Sequence, residues 1–289
     1  MNTVQTRQAR ILGYTWRYLL AAALIAFALI PVIWVISTSF NQAQSLSSAR
    51  LVPRNPTMEN YVHLLTRPSL DFKRWMLNSL KVSVISVAII VVLTCTAAYA
   101  LSRFRFRAKK FVMMSIMLVN VFPGILALIA LFTMFQQLGD FIPVLGLNTH
   151  GALIAVYISG AMSINTLMVK GYVDTIPREI DESCIVEGAT YWQTFWKVVF
   201  PMIRPIVITV LILAFIATYG DFIIANLLLK GNEQVTVMVG IFRFTQQRMN
   251  TDWGLVTAAT LLAAVPTVLL FYFSQKYIIA GLTSGAVKQ

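Results

Sequence analysis

Charged side chains are scarce in this sequence, and acidic ones are the scarcest. Asp, Glu, Lys and Arg make up 12% of the 289 residues, with 11 acidic residues against 23 basic ones. A soluble domain carries about 25% charged residues, so this chain has too few charges to cover a surface that faces water. Because 58% of the residues are hydrophobic, the composition predicts a membrane protein.

Cysteine and histidine are also rare, and their positions exclude the usual metal and redox sites. The two cysteines, Cys95 and Cys184, fall in a predicted span and a predicted loop, so a disulfide between them is not expected. No C-x-x-C pair or Cys/His cluster occurs, so we predict no metal site. A G-x-x-x-x-G-K-[ST] nucleotide loop is missing as well, and no catalytic triad or carboxylate pair lies in the apolar runs. We therefore predict no catalytic residue and no cofactor held by this chain.

The net charge of +12 does not indicate nucleic-acid binding. The basic residues flank long apolar runs instead of lining one polar face, which is typical of residues that orient a chain in a membrane. We expect a lipid bilayer, and no nucleic acid, as the surroundings of this chain.

Six apolar runs are each near the roughly 20 residues that a helix needs to cross a bilayer. They cover about residues 18–37, 79–101, 111–135, 151–169, 206–229 and 253–279. The sequence thus predicts an all-α polytopic membrane protein with six transmembrane helices. The first run follows three arginines, as in a signal peptide, but it is too long for one, so we expect an uncleaved span. The Pro123–Gly124 pair predicts a kink in the third run.

The distribution of Lys and Arg predicts the orientation. Fourteen basic residues fall in the two termini, the 102–110 turn and the 170–205 loop, and nine fall in the opposite loops. Because basic residues favour the cytoplasmic side, we expect both termini and the 170–205 loop inside the cell. The 230–252 loop is then on the outer side, and residues 280–289 form a cytoplasmic tail.

The loop from Lys170 to Pro205 is the most polar part of the chain and holds five of its acidic residues. It reads as two short helices. Pro177 suits the start of the first helix, whose positive end carries Glu179, Asp181 and Glu182. Gly188 is expected to end that helix in the left-handed conformation.

The second helix of this loop is predicted from Thr190 and Gln193, which have the spacing of a capping box. A stripe of apolar residues with helical spacing follows, and it consists of Trp192, Phe195, Trp196 and Val199. Pro201 and Pro205 mark the bend back towards the next span.

The spacing of Glu182, Gly188 and Pro201 resembles the EAA loop of the membrane subunits of ABC importers. The family pattern is EAA, three residues, Gly, nine residues, then I-x-L-P. Small or apolar residues replace four family residues: Ser183, Cys184, Val198 and Phe200. The resemblance implies a coupling helix that docks into a cleft on an ATPase subunit. The coupling contacts would then come from Glu182, Ser183, Cys184, Gly188, Ala189 and Pro201. An ordinary interfacial hairpin is the alternative.

Further stretches resemble the smaller, MalG-type permease of maltose/maltodextrin importers. They are TAAYALSRFRF, GLNTHG, EGATYWQTF and the tail GLTSGAVK. This resemblance implies one transmembrane permease domain over residues 1–289 with the MetI-like fold of type I ABC importer permeases. It also implies a larger MalF-like permease, two ATPase subunits that bind ATP and Mg, and an external sugar-binding protein as partners. The expected location is a prokaryotic plasma (inner) membrane, which the chain crosses several times.

Three further sets of residues are predicted to act in transport. Asp221 is the one acidic residue well inside a predicted span, so it faces a translocation path together with Tyr219 and Asn226, or it makes a structural hydrogen bond. The resemblance implies that Gln246, Gln247 and Arg248 contact the binding protein, with a plain solvated loop as the alternative. It also implies that the tail contacts the ATPase subunits as a thin strand of small residues, through Gly281, Thr283, Ser284 and Gly285, with a frayed terminus as the alternative.

A stand-alone secondary transporter of a small solute is the second interpretation. Such a protein is expected to carry several ionisable residues within its spans and an inverted repeat of interrupted helices. Asp221 is the one acidic residue well inside a predicted span, and we find no repeat. We therefore favour the permease of a binding-protein-dependent sugar importer.

Overall fold

A computed structural model describes residues 7–41, 56–67, 70–121, 123–246 and 251–286. All regular structure in these ranges is helical. The helices are α1 (Arg7–Ser39), α2 (Glu59–Thr66), α3 (Phe72–Arg103), α4 (Lys109–Val121), α5 (Leu128–Phe141), α6 (His150–Val173), α7 (Arg178–Val186), α8 (Tyr191–Thr194), α9 (Phe200–Met202), α10 (Arg204–Tyr219), α11 (Ile223–Leu228), α12 (Val237–Thr245) and α13 (Trp253–Ala286). Two 3₁₀ turns, Gly124–Ala127 and Pro143–Leu145, and a π-helical turn, Phe195–Val199, complete the list.

Five helical segments are long and apolar enough to cross a membrane. They are Thr15–Ser39, Phe72–Arg103, Gly124–Phe141, His150–Val173 and Trp253–Gln275. A sixth crossing arises if Tyr191–Met202 and Arg204–Tyr219, which meet at an angle of 79°, count as one bent span. This confirms the all-α, multi-span architecture expected from the sequence.

The third predicted span, residues 111–135, is not one kinked helix. α4 ends at Val121, and a 3₁₀ turn begins at Gly124. Pro123 between them is extended, with ψ of 111°. Proline has no N–H to continue the helical ladder, so the pair breaks the helix completely instead of only bending it.

The fifth predicted span, residues 206–229, is also interrupted. α10 ends at Tyr219, and α11 begins at Ile223. Asp221 therefore lies in a break, not well inside a helix as the sequence suggested. Its carboxylate accepts the backbone N–H of Ala225 at 2.9 Å, which is the local bonding by which Asp competes with helix continuation.

The last helix is longer than predicted. α13 contains Pro266 and continues through Ala286, so Gly281, Thr283, Ser284 and Gly285 are helical. The expectation of a thin strand is wrong for these residues. Small residues lower helix propensity only modestly, by about 1 kcal/mol for glycine, which an established helix of this length can absorb.

The described residues form two compact units. In the first, residues up to 70 and residues 241–263, Asn60 holds the end of α1. Its Nδ2 donates to the carbonyl oxygens of Ser39 (2.8 Å) and Asn41 (2.9 Å). Carbonyls at a helix C-terminus have no partner within the helix, so this amide satisfies them.

The second unit comprises residues 71–240 and 264 onwards. α3 packs against α6 and α10. One buried cluster joins these helices to the 170–205 loop: Cys95, Ala98, Tyr99, Val169, Val173, Ile176, Phe195, Val199, Ile203, Val207 and Val210. The loop is thus part of the core of this unit.

A close approach in the second unit gives a stability prediction. Gly240 in α12 lies against the buried ring of Trp75, and a Cβ at this position would be 2.1 Å from Trp75 Cε3. We expect Gly240→Ala to destabilise the protein by about 1–3 kcal/mol, because an added methyl forces a packed ring to move. The measurement is the thermal denaturation midpoint in detergent.

The matched control for that variant is Gly160→Ala, since a Cβ on Gly160 meets nothing within 4 Å. Its midpoint should stay level or rise. A Gly240→Ala midpoint no lower than that of Gly160→Ala would contradict the packing described for Trp75.

Candidate functional site

The first helix of the 170–205 loop ends as the sequence predicts. Acidic Glu179 and Asp181 lie in the first turn of α7, and Pro177 stands one position earlier than expected, at its N-cap. Gly188 has φ of +90°, in the left-handed region that L side chains rarely adopt. The chain therefore turns sharply after α7.

The second helix begins with the predicted capping box. The Thr190 backbone N–H donates to Gln193 Oε1 at 2.9 Å, and the Gln193 N–H donates to Thr190 Oγ1 at 3.3 Å. The helix then runs to Met202 through the π-helical turn. Phe195 and Val199 are buried and Trp196 is half-buried, while Trp192 is 63% exposed. The predicted apolar stripe is therefore only partly correct.

Aromatic rings fix this second helix to α3. The Phe195 ring lies 5.0 Å from that of Tyr99, centroid to centroid, and 4.9 Å from that of Trp196. Next to them, the Phe104 ring meets Tyr191 edge-on at 5.1 Å. Aromatic pairs at these distances contribute beyond their buried area, so the loop and the end of α3 are packed together.

A buried ion pair also joins the loop to α3. Arg103 Nη2 lies 3.0 Å from Asp181 Oδ2, and the two side chains are 6% and 7% exposed. The Tyr99 hydroxyl donates to Asp181 Oδ1 at 2.8 Å, and Arg103 Nη2 donates to the Ile176 carbonyl at 3.0 Å. The pair is therefore enclosed and hydrogen-bonded on both sides.

Sequence reasoning missed this pair. It placed Asp181 among the acidic residues at the helix start and Arg103 among the basic residues of a turn. The spacing of four between Tyr99 and Arg103 puts both on one helix face, but no local signal identifies a partner 78 positions later.

A second set of polar contacts holds the start of the loop. Asp174 accepts hydrogen bonds from Ser102 and from Lys170, and Arg178 Nη2 donates to the Ser102 carbonyl at 3.2 Å. Burial alone would raise the pKa of Asp174, but the bonds from Lys170 and Ser102, with the charges of Lys170 and Lys109, lower it below its usual value. Asp174 is therefore charged at neutral pH.

Half of the six predicted coupling residues are exposed on the surface of the loop. Glu182, Ser183 and Gly188 are exposed, and Cys184, Ala189 and Pro201 are half-buried. Exposed apolar side chains lie among them, including Val186 at 87% and Trp192 at 63%. The loop thus has an inner side fixed to α3 and an outer side that mixes acidic and apolar groups. We call the outer side the docking face.

The three residues predicted for a translocation path do not converge. A cavity of about 460 Å³ lies between α6 and α10, and Asp221 lines it but Tyr219 and Asn226 do not. The Tyr157 hydroxyl donates to Asp221 Oδ2 at 2.8 Å, so the carboxylate ties the break after α10 to α6. The Tyr219 hydroxyl instead donates to Met76 Sδ at 2.9 Å. Tyr157, which sequence reasoning missed, is the closest partner of Asp221.

The remaining predicted residues lie at the edge of the described ranges. Gln246 is exposed at the end of α12, whereas Gln247 and Arg248 lie outside the described residues. Gly281, Thr283, Ser284 and Gly285 belong to α13, and residues 287–289 lie outside the described residues.

Comparison with known proteins places this geometry in a family. Residues 90–284 match the family described as "Binding-protein-dependent transport system inner membrane component". The maltose/maltodextrin transport system permease protein MalG of Vibrio parahaemolyticus serotype O3:K6 is 36% identical over 277 residues, covering 92% of this chain and 93% of the relative. The galactooligosaccharides transport system permease protein GanQ of Bacillus subtilis is 33% identical over 280 residues, covering 96% and 97%.

A solved structure agrees with the fold. It is that of a bacterial ABC transporter involved in the import of the acidic polysaccharide alginate, with a TM-score of 0.79 and 22% identity. The match covers 96% of this chain and all of that one. Together with the multi-span helical architecture and the EAA-like loop, these matches show that the chain belongs to the family of inner membrane components of binding-protein-dependent transport systems, the permeases of ABC importers.

Proposed function

We propose that this chain is one of two permease subunits of an ATP-driven oligosaccharide importer and forms half of its translocation path. The observation that carries the proposal is the two-sided 170–205 loop. Its inner side is anchored by the buried Arg103–Asp181 pair, and its docking face exposes Glu182, Val186 and Trp192. A loop that is anchored on one side and exposes acidic and apolar side chains on the other can transmit the movement of a partner protein to the spans.

The proposed partner of the docking face is an ATPase subunit. ATP and Mg would be bound by two such subunits and not by this chain. The other partners are a larger MalF-like permease and an external sugar-binding protein. In this arrangement both termini and the loop are cytoplasmic, and the outer 230–252 loop would contact the binding protein through residues 246–248. The end of α13, from Gly281, would approach the ATPase subunits as a helix.

The names of the relatives support a proposal for the substrate class. MalG and GanQ are named for maltodextrin and galactooligosaccharide transport, so we propose a neutral oligosaccharide, with maltodextrin as the first candidate. We place Asp221 in the wall of the path as a structural residue. Its carboxylate already receives the Tyr157 hydroxyl and the Ala225 N–H, which leaves it less free to bind a sugar.

Reconstituted transport tests this proposal. The chain and its companion permease are placed in vesicles with the ATPase and the binding protein, and uptake of labelled maltotriose is measured. We expect uptake only with ATP, the ATPase and the binding protein together, and competition by unlabelled maltodextrin. Uptake that persists without the ATPase would instead support a stand-alone secondary transporter, an interpretation that the family assignment already disfavours.

A further inference from the structure

The turn between α3 and α4 concentrates positive charge in a stretch of sequence that has no acidic residue. Arg105, Arg107, Lys109 and Lys110 fall within six positions, and the sequence has no acidic residue between Asp71 and Asp140. Arg103 is neutralised by Asp181. Within the described ranges, no ion pair involves the other four. Three of them, Arg105, Arg107 and Lys110, are exposed.

A groove extends from this basic turn along α4. Its volume is about 560 Å³, and its lining consists of Phe106, Arg107, Lys109, Lys110, Met113, Met114 and Met117. Positions 110, 113, 114 and 117 share one helix face, because they are spaced by three and four. One end of the groove is therefore basic, and the rest is formed by methionine.

The methionine part of the groove is unpartnered. No residue of α4 is buried in the structure, and Met114 and Met117 are 52% and 53% exposed. Methionine is flexible and polarisable, so it adapts to irregular apolar partners. In a chain that crosses the membrane, a helix face that leads from a basic turn into an apolar run passes from the headgroup region into hydrocarbon.

A neighbouring cavity on the other side of Lys109 provides a useful contrast. It also measures about 560 Å³, but Asp174 and Glu179 are part of its lining. Carboxylates repel a phosphate, so an anion is favoured on the acid-free side, beside Arg107 and Lys110. Of these two cavities, only the methionine-lined groove combines positive charge without carboxylates and an apolar lining.

We propose that this groove binds an anionic phospholipid, such as phosphatidylglycerol. The phosphate lies at the basic end with Arg107 and Lys110, and an acyl chain lies along Met113, Met114 and Met117. A helix of a partner protein is the less favoured occupant, because charged residues are depleted at the cores of protein interfaces. The volume is within the range of small-molecule sites, about 300–1,000 Å³.

Lipid titration of the detergent-purified, full-length chain in complex with its companion permease tests the proposal, with bound lipid counted by native mass spectrometry. The probes are phosphatidylglycerol, phosphatidylcholine with the same chains, and glycerol 3-phosphate. We expect phosphatidylglycerol to bind more tightly than phosphatidylcholine. Millimolar glycerol 3-phosphate should not displace it, because the headgroup alone lacks the methionine contacts.

Substitutions in the groove test whether the lipid binds there. Arg107→Gln and Lys110→Gln should each weaken phosphatidylglycerol binding about fivefold, the effect of one basic residue near a membrane surface, and the double variant about 25-fold. The matched control is Arg105→Gln, which removes the same charge from the same turn outside the groove and should change binding by less than about twofold. The double variant Met113→Gln/Met117→Gln should weaken phosphatidylglycerol binding. The further losses caused by Arg107→Gln and Lys110→Gln should be the same in this background.

Three results would overturn the proposal. Equal losses for Arg105→Gln and Arg107→Gln would indicate diffuse attraction without a site. Equal binding of the two lipids would remove the role of the phosphate. Binding to the chain alone that disappears in the complex with the companion permease would show that a protein helix occupies the groove. The companion permease used here rests on the proposed function, but none of these measurements involves sugar uptake or ATP hydrolysis. A failure to bind the lipid would therefore leave the proposed transport activity standing.

Discussion

Replacing Arg103 with methionine is expected to release the 170–205 loop from α3 and to abolish coupled transport. The change leaves Asp181 as an unpaired charge in a site where its side chain is 7% exposed. Breaking a buried ion pair by removing one partner costs about 3–5 kcal/mol. The amides of α7 should then exchange with solvent at least about 100-fold faster, and sugar uptake and ATPase stimulation should fall together.

Two control variants distinguish the loss of the buried Arg103–Asp181 ion pair from the loss of one positive charge. Arg105→Met removes an exposed arginine two positions away and should behave as the wild type. The double variant Arg103→Met/Asp181→Asn removes both charges but retains an oxygen for the Tyr99 hydroxyl, so it should recover most of the exchange protection and part of the uptake. Replacing both members of a buried pair is often nearly neutral. A double variant as damaged as Arg103→Met would contradict this account of the anchor.

Replacing Gly188 with proline is the second change from which we expect a large effect. Gly188 has φ of +90°, whereas proline holds φ near −65°, so the turn between α7 and α8 cannot form. The buried contacts of Phe195 and Val199 lie elsewhere, so the protein should insert and assemble normally. We expect uptake below about a tenth of wild type and loss of sugar-stimulated ATP hydrolysis.

A milder substitution tests whether conformation is the cause. At Gly188 a Cβ would meet nothing within 4 Å, as at Gly171 in α6, so alanine fills no occupied space at either position. Gly188→Ala still incurs about 1–2 kcal/mol of left-handed strain and should reduce uptake partially. Gly171→Ala should not reduce it. Normal uptake by an assembled Gly188→Pro complex would mean that the turn has no part in coupling.

The loop was predictable from the sequence because its signals are local. Gly188 and the Thr190–Gln193 capping box act over three or four residues, and the structure confirms both. The Arg103–Asp181 pair could not be predicted, since it depends on how α3 packs against the loop. Asp181 looked like a first-turn acidic residue, and a rotation of about 100°, one position along a helix, decides whether such a residue faces water or the core.

In the spans, too, local sequence features were predictable and features that depend on tertiary contacts were not. Hydropathy located all six apolar runs, but it could not show that the third and fifth are interrupted. Pro123 gave a signal that was read as a kink, and Asp221 was read as a charge inside a helix. In the structure Asp221 is bound by Tyr157 and Ala225, a tertiary and a local contact that together stabilise the break.

We propose that an ATPase subunit covers the docking face of the 170–205 loop, and cysteine protection tests this contact most directly. Val186 is 87% exposed on that face. Val186→Cys is made with Cys184→Ser, and its alkylation rate is measured in the membrane complex with and without the ATPase. Val144→Cys, at a side chain 69% exposed in the turn before α6, serves as the matched control. We predict that the ATPase slows alkylation at position 186 at least tenfold and leaves position 144 unchanged. Equal rates at position 186 with and without the ATPase would contradict the account.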